Sequence, residues 1–444
     1  MNIALIRDNI EIVKESQRKR GASTEVVDEI LNLDNTWRKL QYDSNNANKR
    51  AKDISKEISN LKKQDPTADT SELREKSLTA RELARTLNVQ QEEILLQRNK
   101  LMSTIGNIVH ESVPVSLNEA DFTVVRTHYS DLFKENPECP KLKHHQLLYM
   151  IGGYEPEIGS KVAGHRGYYL TGFGVILNQA IIQYSLYFLW EKGYQQVQPP
   201  LFMKQSLMEK VASIAEFDES LYKIEDKEAT EEGNTKYLIA TSEAPLVALN
   251  MDKIFVDKDL PLKYAGLSEC FRKEAGSSGK DIRGLFRTHV FEKVEQFVIC
   301  KPDESWNYHE EMIKISEEFY NNLGISYRII NIPSGDLNMS ASKKYDLEGW
   351  FPGQETYREL VSCSNCTDYQ SRQMNIQYGT TKPTKYVHML NSTLCATGRT
   401  ICAILENYQT ENGIKVPEVL KPYLTPYLKG SDIIPFVRKY DLVD

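Results

Sequence analysis

Glu269-Cys-Phe-Arg272-Lys-Glu274 leads into Ala-Gly-Ser-Ser-Gly-Lys-Asp-Ile-Arg-Gly (275–284), and then into Leu285-Phe-Arg287-Thr-His289-Val-Phe291-Glu-Lys293-Val-Glu295. Two segments of alternating character flank a glycine- and serine-rich loop, the pattern of an antiparallel hairpin with a long turn. Side chains alternate faces along a strand, so Arg272 and Glu274 are expected to share one face. On the returning strand the same count groups Arg287, His289, Phe291, Lys293 and Glu295. A purely structural strand rarely buries such a set, because each unpaired charge is costly to desolvate. The same residue types suit a nucleotide: guanidinium for phosphate, an aromatic plate for a base, carboxylates for ammonium or metal. The competing explanation is a solvated sheet face joined by cross-strand ion pairs.

At 444 residues the chain has room for two or three domains. A net charge of −7 does not advertise nucleic-acid binding, so any such surface must be local. Seven cysteines without regular spacing point to a reducing compartment rather than a disulfide framework. No apolar run is expected to span a bilayer, and the mixed charges of the first residues do not resemble a signal peptide. The expectation is a cytoplasmic enzyme with no membrane partner.

Between Val26 and Ile108 glycine and proline are confined to Pro66 and Gly106. Ile30, Leu33, Trp37, Leu40, Ala47, Ala51, Ile54, Ile58 and Leu61, with Ser44 filling one step, follow the three-and-four spacing of a coiled-coil seam. Leu73, Ala80, Leu83, Leu87, Ile94, Leu101 and Ile108 repeat it after a break at Pro66. The prediction is an antiparallel helical hairpin roughly 50 Å long at ~1.5 Å per residue. Lys and Arg slightly outnumber Asp and Glu along it, and Lys49, Arg50, Lys56, Arg74 and Arg81 are candidates to meet phosphate. On the pattern alone, a spacer or dimerisation coiled coil with solvated lysines is the simpler reading.

Beyond a proline-containing linker, a helix is predicted over 175–190, stopped at Gly193 and followed by Tyr194-Gln-Gln-Val-Gln-Pro-Pro200. Thr241-Ser242-Glu243 ends a strand-like run; it reads either as a polar site for a small amine or as a helix N-cap. Cys363-x-x-Cys366 invites a zinc reading, but no second pair stands at finger-like spacing, so no zinc is expected. Leu390-Asn-Ser-Thr-Leu-Cys-Ala-Thr-Gly-Arg399 is poor in bulk where a strand turns into a helix, as a ligand-facing backbone requires.

These stretches together resemble the class II aminoacyl-tRNA synthetases, and among them the seryl-tRNA synthetases. The opening hairpin resembles motif 2, the segment from 175 to Pro200 motif 1, and Leu390–Arg399 motif 3. Lys161-Val-Ala-Gly-His-Arg-Gly-Tyr-Tyr-Leu, Glu359-x-x-Ser362-Cys-Ser-Asn-Cys366 and the opening Leu5-Ile-Arg-Asp-Asn are also similar to segments of that family. One departure is Val290, where the family usually has Gln; a backbone contact alone is expected there.

The resemblance implies an α+β fold: an N-terminal antiparallel coiled-coil arm (1–110), a linker (111–150) and a class II catalytic domain (151–444) with an antiparallel sheet of six or seven strands flanked by helices. It implies serine–tRNA ligase activity, with ATP and L-serine giving seryl-adenylate and tRNA(Ser) accepting the seryl group, tRNA(Sec) being a further candidate acceptor. Arg272, Glu295 and Arg399 are then catalytic. ATP contacts fall on Arg272, Lys273, Glu274, Thr288, His289, Val290, Phe291, Glu359, Leu360, Val361, Ser362 and Arg399. Serine contacts fall on Thr241, Glu243, Arg272, Glu295, Asn391 and Thr393, and Mg²⁺ on Glu359 and Ser362. The arm is expected to grip tRNA, and motif 1 to form a homodimer. Two alternatives stand beside this: a synthetase-derived ligase for another acceptor, and a non-catalytic RNA-binding protein.

Overall fold

Long runs free of glycine and proline become long helices here. The computed structural model describes residues 1–132, 141–211, 220–225, 235–274, 283–381 and 384–440, so Pro137, Pro140 and most of the loop 275–284 lie outside the described residues. Two compact units divide the chain, Met1–Ile108 and Val109–Asp444.

In the first unit, α1 (Ile3–Asp8) and α2 (Ile10–Lys19) precede α3 (Glu25–Gln64) and α4 (Ser71–Met102). The 40 residues of α3 span about 60 Å at 1.5 Å per residue. The break falls around Pro66, as expected, and α4 runs back along α3. Ile30, Ser44, Ala47, Ala51 and Ile54 of α3 are buried in the seam. On α4 the buried residues are Ser77, Ala80, Ala84 and Arg98, whereas Leu83, assigned to the seam from sequence, is 54% exposed. The seam steps by four from Ala80 to Ala84, and Leu83, one residue earlier, lies about 100° round the helix from Ala84. The sequence reading also missed a charged seam position. Asp34, with no exposed surface, accepts from Arg7 at 2.6 Å and Arg98 at 2.7 Å. Ile6, Val13, Val27, Ile30 and Ile105 form a small apolar core at the same end.

The second unit is built on an eight-stranded sheet: β1 (Thr123–His128), β2 (Gln195–Val197), β3 (Leu262–Phe271), β4 (Val290–Cys300), β5 (Tyr327–Asn331), β6 (Lys343–Phe351), β7 (Thr356–Asn365) and β8 (His388–Ala396). Their order is β1-β5-β6-β7-β8-β4-β3-β2. Every pairing is antiparallel except β2 with β3, which is parallel. The sheet is thus larger by at least one strand than the six or seven expected; the short strand expected after Gly193 is β2, whereas the edge strand β1 lies in the stretch read as a linker.

One face of the sheet is covered by α5 (Gly172–Glu191), α6 (Ser305–Asn322) and, further along the chain, α8 (Thr397–Asn407). Leu177, Ile181, Phe188, Met312, Phe319, Ile401 and Leu405 meet Val294, Val298, Leu347, Val361 and Leu390 there in one core. The opposite face holds a second core around Phe297, Ile299 and Met389. The remainder of that face is the open ground on which the site stands.

By length and composition α5 is long and apolar enough to cross a membrane, contrary to the sequence expectation. Its apolarity has another cause: ten of its residues, Leu177, Ile181 and Leu189 among them, are buried in the unit's core.

Candidate active site

Strand alternation sorts β4 into two sets. Val294, Gln296 and Val298 face the helices, while Phe291, Lys293 and Glu295 face the other way. The hairpin is shorter than its sequence suggests. β3 stops at Phe271 and β4 begins at Val290, so Arg287 and His289 lie outside the strand. His289 Nδ1 meets the Arg272 carbonyl at 3.0 Å, and its ring stands edge-on to Tyr222 rather than joining Phe291. Strand counting fails here because residues 283–289 are irregular chain.

Glu295 is the centre of a buried polar cluster. It pairs across the sheet with Gly266 on one side and Thr393 on the other. A Cβ at Gly266 would sit 2.6 Å from Ser242 Oγ, so glycine there lets Ser242 approach. Ser242 and Thr241 both donate to Glu295 Oε2 at 2.5 Å, and Lys293 Nζ holds Oε1 at 2.5 Å. Burial alone would raise the Glu295 pKa, but Lys293 and the two hydroxyls hold it below the ordinary carboxylate value. A buried anion is thereby kept charged. Glu243 accepts from Asn391 at 2.8 Å on the same side. The resemblance grouped Thr241, Glu243, Glu295, Asn391 and Thr393 with Arg272 as serine contacts; it assigned no such role to Ser242 or Lys293, both buried, although alternation had already put Lys293 on the face of Glu295.

The adjoining cleft, ≈ 710 Å³ and open to solvent at its mouth, is lined by Arg272, Glu274, Phe286, Arg287, Thr288, Phe291, Glu359, Leu360 and Arg399 among others. The Arg272 guanidinium lies 5.2 Å from the Phe291 ring centre. Arg399 meets Glu359 Oε2 at 3.2 Å and donates to its backbone carbonyl at 3.0 Å. Phe286, absent from the sequence reading, stacks beneath Arg399 at 4.8 Å and Arg358 at 4.2 Å. Glu274, at φ +51°, turns its carboxylate to Arg287 at 3.4 Å. Gly398 opens α8 where a Cβ would lie 2.8 Å from the Leu285 carbonyl.

Not every expected ATP residue reaches this cleft. Val361 is fully buried in the core behind the sheet. Val290 lines a neighbouring recess instead, its carbonyl accepting from Thr288 at 2.9 Å. Lys273 lies off the cleft lining and donates its backbone N–H to Ser220 at 2.9 Å. Alternation is the physical reason for Val361: a continuous run of residues on one strand cannot all face one ligand.

For Mg²⁺ the relevant donors are Glu359 and Ser362. Leu347 pairs with Val361 and Glu348 with Glu359, so Leu360 is a bulge residue. Asp346 pairs with Ser362 and shares its face; it is 8% exposed and its Oδ1 has no hydrogen-bond partner among the described residues. Burial raises its pKa, and the Glu359 charge adds to that. An orphaned buried carboxylate oxygen behind a carboxylate and a hydroxyl is a hard-oxygen setting that fits Mg²⁺. Among the described residues no three His, Cys, Asp or Glu side chains stand close enough to hold a metal alone. Phosphate oxygens would have to complete such a shell. Cys363 and Cys366 are both buried, and burial pushes the Cys363 thiol up to about 12.

Comparison with known proteins bears directly on this arrangement. Residues 1–109 match the seryl-tRNA synthetase N-terminal domain, and residues 222–408 the tRNA synthetase class II core domain (G, H, P, S and T). The cytoplasmic serine–tRNA ligase of Dictyostelium discoideum is 48% identical over 434 residues, covering 97% of this chain and 93% of its own. The chain belongs to the seryl-tRNA synthetase family. Two solved members of the family align over nearly the whole length. A cytoplasmic serine–tRNA ligase from Naegleria fowleri, in complex with AMP, is 43% identical with a TM-score of 0.85, covering 98% of this chain and 99% of that one. The seryl-tRNA synthetase of Pyrococcus horikoshii, complexed with ATP, is 39% identical with a TM-score of 0.89, covering 99% and 100%. A seryl-tRNA synthetase arm and class II core therefore account for both units.

Proposed function

We infer that this chain is a serine–tRNA ligase: it condenses L-serine with ATP to seryl-adenylate, releasing diphosphate, and passes the seryl group to a ribose hydroxyl at the 3′ end of tRNA(Ser). The observation that carries this reading is the junction of two unlike sites on one sheet face. A cationic, aromatic cleft bearing Arg272, Phe291 and Arg399 opens beside a small pocket closed by Thr241, Glu243, Glu295 and Asn391.

Serine's carboxylate is ionised near neutral pH, so its attack on the α-phosphorus needs no general base. The chain's task is positioning and charge stabilisation. Arg272 takes the α-phosphate, Arg399 the γ-phosphate, and Phe291 lies against adenine. Thr288, Leu360 and Glu274 shape the cleft. Charged Glu295 receives the serine ammonium, while Asn391 and Thr393 face the side chain. Bound with ATP, Mg²⁺ neutralises phosphate charge; Glu359 and Ser362 are the residues that would hold it.

In this reading residues 1–110 form the tRNA-binding arm, 111–150 the linker and 151–444 the catalytic domain. Lys49, Arg50, Lys56, Arg74 and Arg81, all exposed, meet the tRNA backbone. A homodimer forms through α5 and β2, and the site of action is the cytoplasm, as named for several relatives. The test is ATP–diphosphate exchange with each of the twenty amino acids, with and without tRNA. Exchange with serine alone, independent of tRNA, is the expected result. Silence with all twenty would leave an RNA-binding protein.

A further inference from the structure

Behind the serine pocket stands a residue with no place in the site so far. Gln370 lies on α7 (Tyr369–Gln373), 1% exposed, just beyond the strand that carries Glu359 and Ser362. Its Nε2 donates to Glu243 Oε1 at 2.7 Å. Asn391 Nδ2 donates to the same oxygen at 2.8 Å, and to Cys366 Sγ at 3.5 Å. One carboxylate oxygen is thus fixed from two sides, and the Asn391 amide nitrogen is held by Glu243 and Cys366 together. Among the described residues nothing donates to Asn391 Oδ1, and Gln370 Oε1 is buried without a partner. A buried polar side chain that leaves one atom unpaired is kept for what its other atom does.

We propose that Gln370 is a positioning residue that sets amino-acid selectivity. It pins Glu243, and Glu243 pins the Asn391 amide with its nitrogen inward, so that Oδ1 is presented as a fixed acceptor for a substrate hydroxyl. This rests on the serine pocket described above. An acceptor with no protein donor rewards a side chain carrying O–H and leaves itself unpaired against one that lacks it, such as alanine. The amide is suited to this place because it supplies an N–H without charge. A carboxylate there would set like charge against Glu243.

Gln370→Met conserves volume and removes the donor, and Gln370→Glu conserves shape and reverses the interaction. ATP–diphosphate exchange on the full-length protein gives KM for serine and for ATP, and kcat/KM for serine against alanine. For Gln370→Met the serine KM is expected to rise about tenfold and the serine-over-alanine ratio to fall about tenfold, with the ATP KM within about twofold of the parent. Gln370→Glu is expected to change the same quantities further in the same direction. Serine and ATP KM rising together, or an unchanged serine-over-alanine ratio in both variants, would overturn the proposal. Glu243→Gln separates the two levels of the argument. If it leaves serine KM untouched, the pocket reading itself fails; if it raises serine KM while both Gln370 variants do not, only the role of Gln370 fails.

Discussion

Glu359 and Ser362 are three positions apart on one strand and yet face the same side of the sheet. An odd separation normally sends two strand residues to opposite faces. Leu360 is inserted as a bulge, so Glu359 stays opposite Glu348 while Ser362 comes opposite Asp346. One extra residue therefore brings a carboxylate and a hydroxyl onto one face of the sheet, the carboxylate paired with Arg399.

That pairing makes a prediction about metal dependence. Glu359→Gln should raise the Mg²⁺ concentration for half-maximal exchange by about ten- to a hundredfold, with Ser362→Ala acting in the same direction and less strongly. A Mg²⁺ titration at saturating ATP and serine reads this directly. An unchanged titration would remove Glu359 from metal binding.

Arg272 sits at the head of the cleft, its guanidinium against Phe291 and its Nε 3.4 Å from the Ala240 carbonyl. Arg272→Ala should reduce serine-dependent exchange by about two to three orders of magnitude, the scale of removing a charge-stabilising donor. It is half-buried and outside both cores, so the melting temperature should shift little. Near-normal exchange in this variant would exclude it from the mechanism.

On the arm, Lys49 and Lys56 are seven residues apart on α3, and Arg74 and Arg81 seven apart on α4, each pair lying along one exposed stripe. Reversing these four charges and Arg50 to glutamate should leave exchange intact and weaken tRNA charging. The parent's charging KM for tRNA should climb steeply with salt and the variant's should do so less, as fewer counterions are released. Equal salt slopes would return the arm to a spacer.

Asp34 gives the first unit an acid sensitivity. Burial by itself raises its pKa, but hydrogen bonds from Arg7 and Arg98 outweigh that and hold it below the ordinary value. Stability from a lowered carboxylate is complete above about pH 4 and disappears as pH falls through the folded-state pKa. Amide exchange over residues 25–40 should therefore accelerate below that pH. Asp34→Asn should lose about 3–5 kcal/mol of local stability at neutral pH, because Arg98 is left buried without its partner, and should show a flatter acid response. An exchange profile in the parent that is flat in acid would contradict this.

Much of the molecule was legible because its signals are local. The seam spacing and Pro66 give the helical hairpin, and the residue types around Arg272, Glu295, Glu359 and Arg399 give the chemistry. Leu83 misled because the seam step after Ala80 was read as three residues, whereas the buried step is four, to Ala84. His289 misled because alternation was extended beyond the end of β4.

Sequence alone determined the two-part architecture and the cationic and polar character of the residues that gather at the cleft, Arg272 and Arg399 among them, since each follows from periodicity or from the chemistry of neighbouring residues. Only the tertiary structure decided what depends on register and on residues far apart in the chain. The bulge at Leu360, the buried Asp34 between Arg7 and Arg98, and Gln370 reaching Glu243 across 127 positions all belong to that class. A one-residue shift in strand pairing exchanges the faces of a sheet, and a hydrogen bond between distant segments leaves no periodic trace.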